Sequence, residues 1–338
     1  QKVNDKEFSF LDTYNKKEIL KEIENVFSLF SQTKKEKLII NKIRNNQELN
    51  LFYDVSQGLI PYDKYRGHDE FTIKNRIWHS EIKKDETYKK ELKGGDVTSY
   101  NLNWNGNLWI SYGDWLAAPR EPKYFNEPRV LVREITSNRL QCCFTTEEYY
   151  NTPSLINIIE SEGSLHLKYL LSLLNSSLIG WYHNKTSPKA NKGLFPKILV
   201  NDVRNIPIKK CTVEKQTFFI EKSELMINLN NKFQIEANNF TKYFQYQYSI
   251  EKLAKKLQNW HELDFSDFIK ELNKAIKKQG GEKLTKIDEM EWMELFETKN
   301  SEAQSLKTEI YKTDKEIDQM IYELYGLTKE EIEIVENS

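Results

Sequence analysis

The segment from Leu165 to Pro207 constrains the chain more than any other. Leu165, Leu167, Leu170, Leu171, Leu174 and Leu178 recur at the spacing of one helix face, which predicts a buried helix. The text then turns polar. Lys185, Lys189 and Lys192 fall between His183 and Lys197 with no carboxylate among them, and Asn, Ser, Pro and Gly interleave with the lysines. That mixture predicts an ordered loop. Phe195 to Val200 reads as a short apolar strand, closed by Ile206-Pro207-Ile208. A rigid helix and a strand are thus expected to hold out a basic loop free of acids, a shape that suits a polyanion and ill suits acid–base catalysis.

With 338 residues, the chain is long enough for two domains, each with its own core. Apolar residues make up 38% and charged ones 30%, with mean hydropathy −0.71, the balance of a polar but foldable soluble protein. No run of about 18 apolar residues occurs, so no membrane span is expected. The start, Gln1-Lys-Val-Asn-Asp-Lys, lacks both Met and a signal-peptide core, and an excised piece of a longer protein is expected. Cys142, Cys143 and Cys211 make neither a disulfide framework nor a zinc-binding pattern, so a reducing cytoplasm is the expected location. The net charge of −1 hides an asymmetry: residues 61–210 carry 22 basic against 17 acidic groups, and residues 211–338 carry 18 against 25. An anionic partner is expected on the middle of the chain and not on its tail.

In chain order, Asn15-Lys-Lys-Glu18 resembles a capping box ahead of an apolar face from Ile19 to Phe30. A second helix from Ser31 to about Arg44 is expected to bury Leu38, Ile39 and Ile43, and Leu49, Leu51, Tyr53 and Val55 alternate as a strand. From Tyr62 to Tyr100 the text is charged, with Trp78, Tyr88 and Leu92 as anchors. Pro128 to Ile135 alternates into a strand whose hairpin partner runs from Arg139 to Phe144 across Ser137-Asn138. Trp104, Trp109 and Trp115 suit either a core or stacking on bases. Arg120, Lys123, Arg129 and Arg133 suit either phosphates or pairing with Glu121, Glu127 and Glu134. Beyond Cys211 a helix carries Phe218 to Phe233, and Phe244, Tyr246, Tyr248 and Ile250 alternate as a strand. Ser266 is placed to cap a helix ending at Gly280-Gly281, and Leu306 to Leu324 form a long stripe stopped by Gly326, with Thr328 opening a last helix.

The catalytic inventory is thin. No Asn/Asp/Ser-Pro-Pro-Tyr/Phe motif and no Gly-rich loop after an apolar strand offers a methyl-donor or nucleotide site, and Gly94-Gly95-Asp96 reads as a turn. Asp69 with Glu81-Ile82-Lys83 has nuclease-like spacing for a divalent cation, a match that arises readily in a chain so rich in charge. The five histidines stand apart. The fragment itself is expected to catalyse nothing and to hold no cofactor or metal.

Several motifs occur in a telling order: Gly58-Leu-Ile-Pro-Tyr-Asp-Lys64, Lys93-Gly-Gly-Asp96, Trp109-Ile-Ser-Tyr112, Pro119-Arg-Glu-Pro-Lys123 and Pro128-Arg-Val-Leu-Val-Arg133. Leu173-Leu-Asn-Ser-Ser-Leu-Ile179, Phe195-Pro-Lys-Ile198, Asp202-Val-Arg-Asn-Ile-Pro-Ile208 and Ile321-Tyr-Glu-Leu-Tyr-Gly-Leu327 follow. Over residues 45–210 and the closing helix the chain resembles the TaqI-like C-terminal specificity domain. That domain is the target-recognition part of restriction–modification enzymes, of type II and IIG-like, that fuse it to an adenine-specific methyltransferase. The resemblance implies an α+β fold: a mixed β-sheet recognition domain with flanking helices, then a mainly helical C-terminal bundle. It implies residues 1–48 as a helical linker, 49–212 as the recognition domain and 213–338 as the helical region. Double-stranded DNA and an upstream methyltransferase domain of the same polypeptide are the implied partners, with S-adenosylmethionine, and magnesium where a nuclease is present, belonging to that parent. Recognition residues differ among members, so none carries over individually. From this chain's own residues, Arg120, Lys123, Arg129, Arg133, Asn184, Lys185, Lys189, Asn191, Lys192 and Lys197 are the expected DNA contacts. The alternatives are a protein-interaction module of a phage-defence complex and a self-contained magnesium-dependent nuclease.

Overall fold

The computed structural model describes residues 32–104, 106–187, 190 and 196–337. The fold is α+β, with two compact units: one takes the described residues up to Ser223 together with Ile317 onward, the other Glu224–Glu316. Residues 213–338, expected as one helical region, contribute to both. The capping box at Asn15–Glu18 and the face from Ile19 to Phe30 lie outside the described residues.

In the first unit the strands that position the site are β1 (Tyr53–Gln57), β2 (Tyr88–Leu92), β3 (Trp109–Ser111), β4 (Arg129–Arg133), β5 (Cys142–Thr145) and β6 (Leu155–Glu160). The central sheet runs β1-β6-β4-β5, antiparallel throughout. Its register sets Ile158 between Val55 and Val130, and Leu131 opposite Cys143. β4 and β6 are buried on both faces, which is why they read as near-continuous apolar runs. A second sheet orders Tyr150–Asn151, β2, β3 and His79–Ser80, with the first pair parallel. Between the sheets, Leu92, Val97, Leu131, Cys143, Tyr149 and Leu155 form one buried cluster, and Leu59, Ile110, Phe125, Tyr150 and Ile159 another. Gly58 permits the closest crossing: a Cβ there would lie 2.2 Å from the Asn151 carbonyl oxygen.

The helices begin with α1 (Lys34–Arg44), capped by a Thr33–Glu36 box. The predicted strand at Leu49–Val55 starts later, at Tyr53, because Leu49–Leu51 is a 3₁₀ turn that leaves Leu51 exposed. In α1 the third buried apolar residue is Ile40, while Leu38 faces solvent. The leucine run folds as two helices, α2 (Leu167–Asn175) and α3 (Ser177–Thr186), because Ser176 ends one and caps the other through its Oγ, which accepts from Ile179 N. All six leucines are buried. The strand expected at Phe195–Val200 does not form in its described part: Lys197 makes a single bridge to Ile135, and α4 (Val200–Arg204) starts where Asp202 caps Leu199 N.

Two long helices follow, α5 (Val213–Gln247) and, after α6 (Phe265–Lys278), α7 (Lys286–Tyr325); α8 (Lys329–Glu336) closes the chain. The strand expected at Phe244–Ile250 is helical up to Gln247. Phe240 and Phe244 recur at four-residue spacing on the buried side of α5 while Tyr246 is exposed, so the 3.6-residue period outweighs the aromatic alternation. In the second unit Phe240, Phe244, Trp260, Phe268, Trp292 and Phe296 form an aromatic core. The cap of α6 is Asp264, whose carboxylate accepts from Asp267 N, and not Ser266. Gly326 stops α7 at φ 69°, and Thr328 caps α8 with Glu331. Among the described residues no helix is long and apolar enough to cross a membrane.

Candidate nucleic-acid interface

The described residues on either side of the lysine-rich segment are held by two clamps. On one side, α3 is pinned at its start by Asp318 of α7, fully buried, which accepts from Ser177 N (2.8 Å), Ser177 Oγ (2.7 Å) and Arg139 Nη2 (3.0 Å). One carboxylate thereby fixes both the helix and the β4–β5 hairpin. Gly180 lets that hairpin lie against the helix, since a Cβ there would come within 2.8 Å of Arg139 Cα and the Asn138 carbonyl oxygen. Asn184 Nδ2 donates to the same Asn138 carbonyl at 3.1 Å. On the other side, the chain returns beside β4: Thr136 N donates to Pro196 O, Ile198 N to Glu134 O, and Lys197 bridges Ile135.

Both clamps carry charge pairs that the sequence does not announce. Lys185 Nζ lies 2.6 Å from Glu36 Oε1, and Lys197 Nζ lies 3.2 Å from Glu134 Oε1. Burial pushes the Glu36 carboxyl up, but the Lys185 ammonium and the Thr33 amide outweigh it and hold the group below the usual carboxylate range. The segment is free of acids along the chain and supplied with them in space. Lys189, Asn191 and Lys192 lie outside the described residues.

The remaining expected contacts divide between the two ends of β4, about 13 Å apart at the strand rise of about 3.3 Å per residue. Arg133, at the loop end, makes no ion pair among the described residues. Arg129, at the other end, is fully buried and donates to the carbonyls of Glu127 (2.9 Å), Glu147 (3.0 Å) and Tyr149 (3.0 Å). Desolvation lowers its pKa to about 10, still cationic at neutral pH. Its work is inside the fold: it ties the turn at residues 147–149 to the central sheet. Lys123 also sits at that end, 3.0 Å from Asp54 Oδ2, which further accepts from Tyr124 OH (2.7 Å). Burial raises the Asp54 carboxyl, but Tyr124 and Lys123 hold it down. Arg120 is held in the left-handed region at φ 65°, a conformation that costs a non-glycine residue about 1 kcal/mol or more, with Tyr112 OH donating to its carbonyl.

Of the tryptophans, Trp104 and Trp109 meet edge to face at 5.3 Å and are half-buried, while Trp115 is exposed. The nuclease-like residues are used locally: Asp69 caps a short helix through Thr72 N, and Lys83 pairs with Glu86 at 2.9 Å. Among the described residues no three His, Cys, Asp or Glu side chains gather as a metal site. Sequence reasoning missed Asp318 and Glu36, whose partners lie far along the chain. It also passed over Lys64, Arg66 and Arg76, where the charge density of residues 62–100 was the only signal.

Two segments of the chain match family models. Residues 89–208 match the model of the TaqI-like C-terminal specificity domain, and residues 212–321 that of a domain of unknown function, DUF8810. The recognition region is thus homologous to the DNA-sequence specificity domains of restriction–modification enzymes. Within that class, the family matched over residues 89–208, about a third of the chain, is the TaqI-like C-terminal specificity domain. Similar solved structures include the HsdS subunit from Thermoanaerobacter tengcongensis (11% identity, TM-score 0.34, 61% of this chain and 46% of that one). The Type IIL restriction-modification enzyme MmeI, solved in complex with DNA, matches at 13% identity and TM-score 0.36 over 76% of this chain and 36% of its own. The type IIG restriction endonuclease BpuSI matches at 12% and 0.39 over 93% of this chain and 36% of its own. The chain therefore spans less than half the length of each. No curated protein matches.

Proposed function

We propose that this chain reads a specific sequence in duplex DNA and presents it to an adenine N6-methyltransferase domain preceding it in a longer polypeptide, with a nuclease in the same assembly as a further possibility of the architecture. The observation that carries this reading is the match of residues 89–208 to the specificity-domain family. S-adenosylmethionine would be the methyl donor of that preceding domain, and any magnesium would belong to its nuclease.

Within this chain, Arg120 and Arg133 supply cations without a carboxylate partner among the described residues, and Lys189, Asn191 and Lys192 fall in the sequence between the two clamps. Lys185 and Lys197 would have to exchange Glu36 and Glu134 for phosphate, which makes them weaker anchors than their charge suggests. Arginine or lysine favours guanine edges and asparagine favours adenine, each bidentate contact discriminating by about 1–3 kcal/mol. Selection of bound sequences from random duplexes by the full chain tests the reading. A short enriched sequence is expected, with Arg133→Ala lowering the slope of log affinity against log salt by about 1. Enrichment of no sequence, together with equal binding of duplex and polyanionic heparin, would remove the recognition role.

A further inference from the structure

Ahead of the family match, residues 62–82 build a second candidate contact surface. Its base is fixed. Trp78 stacks on His68 (5.5 Å, 28°) and meets Tyr62 edge to face (5.6 Å), and Tyr62 OH is 2.8 Å from His79 Nδ1 while accepting from Trp78 N. His79 Nε2 lies 3.2 Å from the buried Glu91 carboxylate, an ion-pair distance without hydrogen-bond alignment. The base is also clipped to the loop that carries Arg120. Arg66 Nη1 donates to Ala117 O (2.6 Å), His68 Nε2 lies 3.0 Å from Trp115 O, and Ile60 bridges Ala118. From this rigid base the segment exposes large apolar groups that a folded chain ordinarily hides: Tyr65 at 85%, Phe71 at 69% and Ile77 at 42%, with Trp115 at 43% beside His68.

Charge says what would cover them. Of the segment's carboxylates, Asp63 and Asp69 are spent as caps on Tyr65 N and Thr72 N, Glu70 pairs with Lys74 at 2.7 Å, and Glu81 remains. Lys64, Arg66 and Arg76 have no carboxylate partner among the described residues, and Lys64 lies over the Tyr65 ring at 4.7 Å. Arg76 and Arg120 are both held at positive φ, 47° and 65°. Flat aromatic groups among unpaired cations complement nucleic acid, whose bases stack and whose phosphates pair.

We infer that residues 62–82 form a second DNA-contacting arm of the recognition unit, in which Tyr65 and Phe71 pack against bases at an opened step and Arg66 and Arg76 meet the flanking phosphates. The inference rests on the DNA-reading function proposed above. The test measures the full chain on a duplex recovered by the selection, by anisotropy at several salt concentrations. Tyr65→Ala and Phe71→Ala, both at exposed positions, are expected to weaken binding roughly tenfold or more with an unchanged salt slope. Phe71→Leu, which keeps an apolar wedge, is expected to recover part of the loss. Arg76→Gly, which suits the left-handed backbone, is expected to lower the slope by about 1. Binding within twofold of the parent for both alanine variants overturns the arm and leaves the recognition role standing. Failure of the parent chain to prefer any duplex removes both. If these variants instead abolish self-association in sedimentation and leave DNA affinity intact, the surface is a protein interface and the inference falls.

Discussion

Asp318→Asn should uncouple the hairpin from the helix that carries the lysine loop. Asp318 is fully buried and accepts from Ser177 N, Ser177 Oγ and Arg139 Nη2, the last a guanidinium whose side chain is 28% exposed. Asparagine is nearly isosteric: with its oxygen in the place of Oδ1 it still accepts from Ser177 N and Arg139 Nη2, but the bond to the guanidinium loses its anionic partner and the amide nitrogen displaces the Ser177 Oγ donor. Losing a charge-assisted bond costs about 1.5–3 kcal/mol, and the displaced donor adds a further penalty of about 1 kcal/mol when buried. The expected loss is therefore about 2–4 kcal/mol, or a Tm lower by about 4–16 °C at the 2–4 °C per kcal/mol typical of domains this large. Urea unfolding of Asp318→Asn, Arg139→Met and the double variant gives the pairwise coupling directly, provided the transition of the first unit is followed by hydrogen exchange at α3. A coupling of at least about 1 kcal/mol is expected. A value below about 0.3 kcal/mol, within the scatter of non-interacting sites, would show that the carboxylate does not tie the hairpin to the helix.

Gly180→Ala sets helix propensity, worth about 1 kcal/mol in favour, against contacts at 2.8 Å with hairpin backbone; a net loss of stability is expected, and a higher urea midpoint would refute the close approach. Arg129→Met should take the guanidinium donor from three carbonyls, of which that of Tyr149 is buried, and cost about 1–3 kcal/mol, measured by urea midpoint, while the salt slope of DNA binding stays as in the parent. Burial lowers the His183 pKa below its ordinary 6.5, so the folded state binds fewer protons than the unfolded one in that range. Stability should therefore be whole above about pH 6.5 and fall as the pH drops below it, by at most about 1.4 kcal/mol per unit for this one group. His183→Asn should flatten that slope, leaving the similar contribution of His261, which burial also lowers.

The leucines at 165–178 announced a buried helical face because each repeats at a spacing that only a helix satisfies. The break at Ser176 was hidden, since a serine reads as a cap only when the flanking helices are known to turn there. The Pro128–Phe144 hairpin was legible as two paired strands, though β4 is buried on both faces instead of alternating and β5 starts at Cys142 and not at Arg139. The aromatic alternation from Phe244 to Ile250 misled, because β propensity is local while the fate of α5 is set by the aromatic core of Trp260, Phe268 and Trp292. The family resemblance was legible in the order of short motifs. The electrostatic surroundings of the loop were not: Glu36 approaches Lys185, and Asp318 approaches Arg139, only through tertiary packing. Arg129 likewise read as a surface cation, and nothing in a Pro-Arg-Val-Leu sequence reveals that three carbonyls converge on it.

The first unit draws its last pieces from residues 317–338, where Asp318 grips α3, Tyr325 OH reaches Pro207 O, and Glu331 meets Lys42 at 2.6 Å. On a translating ribosome these partners of Lys42 and Pro207 emerge only after the residues of the 224–316 unit. The earlier-made unit can thus mature first, while the first unit stays open until residues 317–338 have been made. Truncations or premature stops within residues 317–325, beyond Trp292, Phe296 and Ala303 of the aromatic core, should accordingly yield a chain with the residues of that core complete and the first unit unclosed.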